Sequence, residues 1–229
     1  SLLCIITDVK NQYNLSFVSI CNNAYYLRTL FAHKVETVNK PNVNKVPIVM
    51  VHGLCSGIGL WCKNIDSISN NRKLYAMDVL GFGFSSRPKF SNDPVQVENL
   101  FIDSIEEWRK SMGLKQFILL GHSLGGFIAC SYAIKYPENG EPAFKTLTSN
   151  VIWAYNPMIN RALELDKSIP VSFIYGGETW MDKNAAYQFK NKRPDSFVDV
   201  RMVNEICDNV DFVHADDPID DESVMEALP

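Results

Sequence analysis

The stretch that decides the fold is FILLGHSLGGFIACSYAIKYP, residues 117–137. An apolar run typical of a buried strand, Phe117–Leu120, leads into Gly121-His122-Ser123-Leu124-Gly125, and an apolar helical pattern continues through Ala133. This is a G-x-S-x-G motif between a strand and a helix, the context in which a serine sits exposed on a tight turn. The motif predicts Ser123 as a nucleophile. The competing interpretation is an ordinary serine that caps the helix N-terminus.

A serine nucleophile of this kind needs two backbone N–H groups that stabilise the oxyanion of its transition state. The N–H of Leu124 is predicted as one donor, because it lies at the start of the helix that follows the serine. The second donor is expected from the loop after an earlier strand. The apolar run Pro47–Val51 ends in His52-Gly53-Leu54, so the N–H of Leu54 is the candidate.

The serine also needs an acid and a base, which follow it in the chain in that order. The apolar run in IPVSFIYGGETWMD, residues 169–182, ends in acidic residues, and we predict Asp182 as the acid with Glu178 as the alternative. For each of these acids, a surface carboxylate or a turn cap is the competing interpretation. An acid at this place would orient the imidazole and stabilise the imidazolium.

The choice of base is narrow because the chain has four histidines, at positions 33, 52, 122 and 214. His33 precedes the predicted sheet core, His52 belongs to the oxyanion turn, and His122 adjoins the serine in a tight turn that points its side chain elsewhere. His214 alone lies downstream of Asp182, although it sits in an acidic segment and not in a Gly-His loop after a strand. His214 is therefore the predicted base.

Length and composition indicate one domain. The chain has 229 residues, 46% of them hydrophobic and 21% charged, which fits a single α/β domain over residues 1–211 followed by an acidic tail over 212–229. A net charge of −4 gives no reason to expect a nucleic-acid partner.

The scattered cysteines predict reduced thiols in a cytoplasmic protein, with no metal and no cofactor. The apolar start SLLCIITDV is too short to span a bilayer, so membrane contact would be peripheral.

Strands alternate with helices along the chain, which predicts a mostly parallel sheet. Strand patterns occur in Leu15–Ile20, in residues 24–38 and in Leu74–Met77, and a helix is predicted over Asp93–Gly113. The segment ENGEPAFKTLTSN after Pro137 is polar where a buried strand is expected. The remaining strand candidates are weaker: VIWAY (151–155) and FVDVRMV (197–203).

Taken together, these segments resemble the α/β-hydrolase superfamily. The resemblance is closest to the abhydrolase-domain branch that contains a (lyso-)N-acylphosphatidylethanolamine lipase and its sister, a lipase co-activator and reported lysophosphatidic acid acyltransferase. It is carried by VPIVMVHG, GIGLW, DVLGFGFSSRP, LLGHSLGGFIA, IPVSFIYGGETWMD and EICDNVD, within residues 46–137 and 169–211. The resemblance implies hydrolysis of acylated phospholipids, a lipid substrate, and contact with a membrane or lipid-droplet surface. Protein partners stay unknown. Ser123 favours the lipase, since the co-activator has a non-nucleophilic residue there, and Asp182 matches the acid.

Two departures from the family accompany this resemblance. After Pro137 the family continues with a strand and a long helical lid, and between Arg201 and Met202 it has a strand and a Gly-x-x-His loop that supplies the base. We therefore expect an incomplete fold that lacks one sheet strand, the His loop and most of the lid, which is truncated near 137–150, as in a shortened isoform or an imperfect gene model. A catalytically silent co-activator and an acyltransferase remain alternatives, although His214 does not fit the acyltransferase H-x-x-x-x-D pattern.

Overall fold

The computed structural model describes residues 9–33, 45–137, 144–147, 158–176 and 182–203, with residues 144–147 described by their backbone. These ranges contain an eight-stranded sheet and four α-helices. The strands are β1 (Gln12–Ile20), β2 (Tyr25–His33), β3 (Ile48–Val51), β4 (Leu74–Met77), β5 (Ile118–His122), β6 (Phe144–Leu147), β7 (Val171–Gly176) and β8 (Val198–Val203). The helices are α1 (Ile65–Ser69), α2 (Pro94–Ser111), α3 (Leu124–Lys135) and α4 (Asn184–Lys192), with 3-10 turns at Ile58–Trp61 and Met158–Asn160.

The strand order is β1-β2-β4-β3-β5-β6-β7-β8. The pairs β1–β2 and β2–β4 are antiparallel, and every pair from β4 to β8 is parallel. The carboxyl ends of β3, β4, β5 and β7 therefore meet at one edge of the sheet, where the loops that carry the predicted site lie. The predicted α/β fold with a mostly parallel sheet is confirmed.

Several elements form where the sequence predicts them. Strands β3 and β4 are buried along their whole length, as their continuous apolar runs indicate. Helix α2 begins after Asp93, whose carboxylate accepts the N–H of Val95 at 2.9 Å, and Pro94 occupies its first turn. Its side chains Ile105 and Trp108 are fully buried in the core.

The expectation that one sheet strand is missing is wrong. Strand β6 occupies the position between β5 and β7, and its residues Lys145 and Thr146 pair with both neighbours. Its sequence, FKTL, has no continuous apolar run, so local pattern gives little sign of a strand. Two parallel neighbours supply hydrogen bonds on both sides, and this tertiary context decides the conformation. The candidate strand 151–155 lies outside the described residues, as do residues 204–229, so the predicted domain limits stay a prediction.

Helices α2 and α3 pack on the same face of the sheet and are joined by a buried hydrogen bond from Tyr132 of α3 to Glu106 of α2. Glu106 is buried and accepts hydrogen bonds from Arg109 at 2.8 Å and from the hydroxyl of Tyr132 at 2.7 Å. Burial alone would raise the pKa of Glu106, but these hydrogen bonds outweigh it and lower the pKa. The contact anchors α3, the helix that follows Ser123. Within the described ranges, no helix has the length and apolarity needed to cross a bilayer.

Candidate active site

Ser123 occupies a strained turn between β5 and α3. Its backbone angles are φ 53° and ψ −119°, in the left-handed region of φ that non-glycine residues rarely adopt. It stands at the N-cap position of α3, yet its side chain makes no capping hydrogen bond to the helix. The residue is half-buried. The interpretation as an ordinary capping serine is therefore wrong, and the strain is of the kind that collects at functional sites.

The glycines on either side of Ser123 are required by close backbone approach. A Cβ on Gly125 would overlap the carbonyl oxygen of Val51 at the end of β3. A Cβ on Gly121 would overlap the backbone of Gly125 itself. The turn is thus wedged between β3 and its own helix, and only hydrogen at these two positions leaves room for it.

The loop after β3 lies directly beside the serine. A Cβ on Gly53 would be 2.9 Å from the Cβ of Ser123, and the next residue, Leu54, is 37% exposed. Leu124 opens α3, where the first N–H groups of a helix have no acceptor within the helix. The structure therefore places Leu54, one predicted oxyanion donor, in the loop beside Ser123, and Leu124, the other, directly after Ser123. Their role in catalysis stays a prediction.

His52 holds this loop in place. Its Nε2 accepts the N–H of Val79 at 2.9 Å, so the proton is on Nδ1, which donates to the carbonyl of Gly53 at 2.7 Å. The ring is fully buried, and burial lowers the pKa of His52 below its ordinary value, against smaller opposing effects of Gly53 and Asp78. Both ring nitrogens are used in a neutral imidazole, which agrees with the assignment of His52 to the oxyanion turn.

Asp78 is a buried residue of the site that sequence reasoning missed. Its Oδ1 accepts the N–H of Ile58 at 2.8 Å and its Oδ2 accepts the N–H of Phe84 at 2.9 Å, so one carboxylate joins the loops after β3 and β4. The available signal was an acidic residue directly after a buried strand and before the glycine-rich segment 81–83. A buried carboxylate needs such donors, and loop N–H groups are the nearest supply.

The other histidines do not meet Ser123 as a base within the described residues. His33 ends β2, which runs antiparallel to β4, so it lies at the opposite edge of the sheet. The ring of His122 packs edge-on against Trp61, with ring centroids 6.4 Å apart. The predicted base, His214, lies outside the described residues.

The predicted acid, Asp182, lies at the same edge of the sheet as the serine, just before α4. It is exposed, and its Oδ1 accepts the N–H of Asn184, the first residue of the helix, at 2.9 Å. The structure therefore gives Asp182 the turn-cap contact that was its competing interpretation, and its orientation of a histidine stays a prediction. The alternative acid, Glu178, lies outside the described residues.

Clusters of metal-binding side chains and cysteine pairs are absent from the described residues. This part of the chain contains no group of three or more His, Cys, Asp or Glu side chains placed to hold an ion. The cysteines within it are free thiols: Cys21, Cys55, Cys62 and Cys130. Of these, Cys130 is fully buried in α3, and burial raises the pKa of its thiol, so it stays protonated and unreactive.

Comparison with known proteins agrees with this geometry. A family model described as the α/β hydrolase fold matches residues 46–150. The (lyso)-N-acylphosphatidylethanolamine lipase of Homo sapiens is 30% identical to the chain, over 90% of this chain and 90% of that protein. The Mus musculus protein of the same name is 32% identical, over 98% of this chain and 89% of its own length.

Acyltransferases related to these lipases are similar to the chain at about the same sequence identity. The 1-acylglycerol-3-phosphate O-acyltransferase of Sus scrofa is 31% identical, over 77% of this chain and 75% of its own length. The alignment with the human lipase runs over 317 residues, although the whole chain has 229. The relatives therefore contain stretches inside the aligned region that this chain lacks.

Solved structures agree on the fold. Naproxen esterase from Bacillus subtilis superposes with a TM-score of 0.68 at 12% identity, covering 90% of this chain and 87% of its own. A bacterial membrane phospholipase A superposes with a TM-score of 0.61 at 16% identity, covering 85% of this chain and 79% of its own. At such identities the likeness concerns the path of the backbone alone.

Proposed function

Because this chain belongs to the α/β-hydrolase family, in the branch of the (lyso)-N-acylphosphatidylethanolamine lipases and their acyltransferase sisters, we propose that it is a serine hydrolase of acylated phospholipids. The proposed reaction cleaves an acyl ester or amide through an acyl-enzyme on Ser123. The proposed substrate class includes N-acylated phosphatidylethanolamine and its lyso form. The proposed location is the cytoplasm, at the periphery of a membrane or lipid droplet.

In the proposed mechanism, the hydroxyl of Ser123 attacks the acyl carbonyl carbon and gives its proton to a histidine base. The N–H groups of Leu54 and Leu124 stabilise the oxyanion, a contribution of about 3 kcal/mol for each donor. The protonated base then gives its proton to the leaving group, and water activated by the same base hydrolyses the acyl-enzyme. His214 is the proposed base and Asp182 the proposed acid that orients it.

The observation that carries this proposal is the conformation of Ser123. A non-glycine residue with φ 53° persists only where its surroundings hold it there. The surroundings that hold it are backbone atoms of β3 and α3 at distances that exclude any side chain on Gly125. A capping serine needs none of this, whereas a nucleophile that must project from the sheet toward a carbonyl carbon needs all of it.

A fluorophosphonate probe tests the proposal, since it labels only an activated serine. We expect the wild-type chain to be labelled and to release fatty acid from N-acylphosphatidylethanolamine, and Ser123→Ala to lose both, by roughly 10⁴-fold or more in rate. Ser168→Ala, which removes an exposed hydroxyl at the opposite edge of the sheet, is the matched control and should keep both. Labelling of wild type and Ser123→Ala alike would contradict the proposal.

A second candidate is a catalytically silent protein that binds lipid or a lipase. It is favoured by the histidines, because within the described residues His52 is fully engaged and His33 lies at the far edge. For this candidate we expect no fluorophosphonate labelling, together with retained binding of phospholipid vesicles. Release of fatty acid that depends on Ser123 would count against it. Acyl transfer to lysophosphatidic acid is checked in the same preparation with acyl-CoA.

A further inference from the structure

Loops at the carboxyl edge of the sheet expose large apolar side chains. In the loops after β3 and β4, Leu54 is 37% exposed, Leu60 36% and Phe84 55%. Single exposed apolar residues are common on protein surfaces, and only a contiguous group indicates an interaction site. The question is therefore whether these side chains belong to one surface.

The buried carboxylate of Asp78 brings the two loops together. It accepts the N–H of Ile58 at 2.8 Å and the N–H of Phe84 at 2.9 Å. The backbone before Leu60 and the backbone of Phe84 therefore lie within reach of one carboxyl group. The two loops that carry the exposed apolar side chains are therefore held next to each other.

The loop after β4 is joined in turn to the β1–β2 hairpin. The N–H of Ser86 donates to the carbonyl of Tyr26 at 3.0 Å, and the N–H of Tyr26 donates to the hydroxyl of Ser86 at 2.9 Å. The ring of Tyr26, which is 44% exposed, lies edge-on to that of Phe17, which is 53% exposed, with centroids 5.0 Å apart. These hydrogen bonds and the ring contact thus connect the three segments that carry the five exposed apolar side chains.

The hairpin projects past the end of the neighbouring strand. Thr29 pairs with Met77, the last residue of β4, so residues 25–28 extend beyond the carboxyl edge. Phe17 pairs with Arg28, which places both side chains on one face of the hairpin, and the guanidinium of Arg28 lies 4.6 Å from the centroid of the Phe17 ring. The opposite face carries Leu27 and packs on the side of α2.

The charges that these loops expose to solvent have one sign. The charged residues of segments 21–28, 53–62 and 79–92 are Arg28, Arg87 and Lys89. These segments contain no Asp or Glu, whereas the whole chain has a net charge of −4. Arg87 and Lys89 are exposed. The acids that act on the hairpin, Asp103 and Glu107, belong to α2 on the other face of the sheet. The two acids that adjoin these ranges in the chain are Asp78, which is fully buried, and Asp93, which caps α2, so the charges exposed within the ranges themselves are cationic.

We propose that this surface docks on an anionic phospholipid bilayer. The docking surface is defined by its apolar residues Phe17, Tyr26, Leu54, Leu60 and Phe84 and its cations Arg28, Arg87 and Lys89. Apolar side chains that enter the interface, next to cations that meet anionic headgroups, are the combination that holds a protein on such a membrane. Docking turns the edge of the sheet that carries Ser123 toward the lipid.

Vesicle sedimentation tests the proposal with the full chain. The probes are vesicles of phosphatidylcholine alone and of equal parts phosphatidylcholine and phosphatidylserine. Wild type should bind the mixed vesicles and bind the neutral ones more weakly, and binding should fall as salt shortens the screening length. Phe84→Ser should weaken binding by about ten-fold, and Lys89→Gln by about five-fold.

Matched controls lie at the opposite edge of the sheet. Leu163, which is 76% exposed in the loop before β7, and Lys115, which is exposed before β5, are changed in Leu163→Ser and Lys115→Gln. Both variants should bind as wild type does. The proposal is overturned if wild type binds neither vesicle, as it would if the surface served a protein partner, or if the control variants lose as much binding as Phe84→Ser. The salt dependence is measured on wild type alone, so this test holds even if a variant fails to fold.

Docking does not depend on the proposed catalysis, and Ser123→Ala separates the two. The variant should sediment with mixed vesicles as wild type does. A chain that binds vesicles through this surface and hydrolyses nothing would retain the docking inference and reject the proposed hydrolase. A chain that hydrolyses dispersed substrate but does not bind vesicles would support the proposed hydrolase and reject the docking inference.

Discussion

The two halves of the sheet hold their candidate catalytic groups in different ways. In the half from β3 to β5, Ser123 is surrounded by buried backbone, and the adjacent loops are fixed by His52 and Asp78, both fully buried. In the half from β7 to β8, Asp182 is exposed, and within the described residues its side chain has one hydrogen bond, to the start of its own helix. The candidate nucleophile is held by the core, whereas the candidate acid lies on the surface.

The difference indicates which parts of a triad a fold can fix by itself. A serine turn is made of backbone, so strand pairing and glycines set its geometry before any partner arrives. An acid acts through the histidine that it orients, so its position matters only once that histidine is in place. Substitutions around Ser123 should therefore change stability, and substitutions at Asp182 should change rate alone.

The sharpest test of this contrast is Asp182→Asn. The amide oxygen of asparagine can accept the same N–H of Asn184 in this exposed turn, so stability should stay within about 0.5 kcal/mol of wild type. If Asp182 orients the base, turnover of an acyl ester should fall by about 10⁴-fold. Asp166 is the matched control, because its Oδ1 accepts the N–H of Ser168 at 2.8 Å in a similar turn at the opposite edge. Equal activity of Asp182→Asn and Asp166→Asn would remove Asp182 from the site.

On the other side of the contrast, Gly125→Ala should destabilise the fold. The new methyl group would overlap the carbonyl oxygen of Val51, and relief requires moving β3 or α3, at a cost of about 3 kcal/mol in the free energy of unfolding by urea. Gly113→Ala is the control: it has φ 66° and no atom within 4 Å of the new Cβ, so strain alone should cost about 1 kcal/mol. Similar losses in both variants would mean that the elbow is less tightly wedged than described.

The smallest effect should appear in the dependence of stability on pH. Burial lowers the pKa of His52, so below the ordinary value of about 6.5 the unfolded chain takes up a proton that the folded chain resists. This contribution is complete above pH 6.5 and is lost as pH falls toward the lowered pKa, by at most about 1.4 kcal/mol per pH unit. In urea titrations, His52→Gln and wild type should give parallel curves above pH 7 and a shallower acid slope for the variant. Equal slopes down to pH 5 would contradict a buried neutral imidazole.

The sequence was sufficient for the parts of the fold that local pattern determines. The buried strands β3 and β4, the capped helix α2 and the turn at Ser123 all carry their signal within a few residues. Strand β6 does not, because its conformation comes from neighbours on both sides. A polar segment of this kind is indistinguishable from a loop until the sheet is assembled.

The candidate site divides in the same way. The places of Ser123, Leu54 and Leu124 follow from motif and chain order. The task of Asp78 does not, because it depends on two loops that meet only in the folded chain. The hydrogen bond from the N–H of Asn184 to Asp182 is local and could be predicted from the sequence. Whether Asp182 also orients a histidine could not, because the sequence pattern is the same in both cases.

Strand β6 has a consequence for how the molecule opens. It joins the two halves of the sheet through four residues, with three register pairs to β5 and three to β7. We expect this short connection to let β7 and β8 separate from the rest of the sheet in a partial unfolding, which native-state hydrogen exchange would detect as one cooperative unit. We expect the amides of β7 to exchange together and before those of β3 and β4. Each such opening would part the serine from the acid while leaving the serine turn folded.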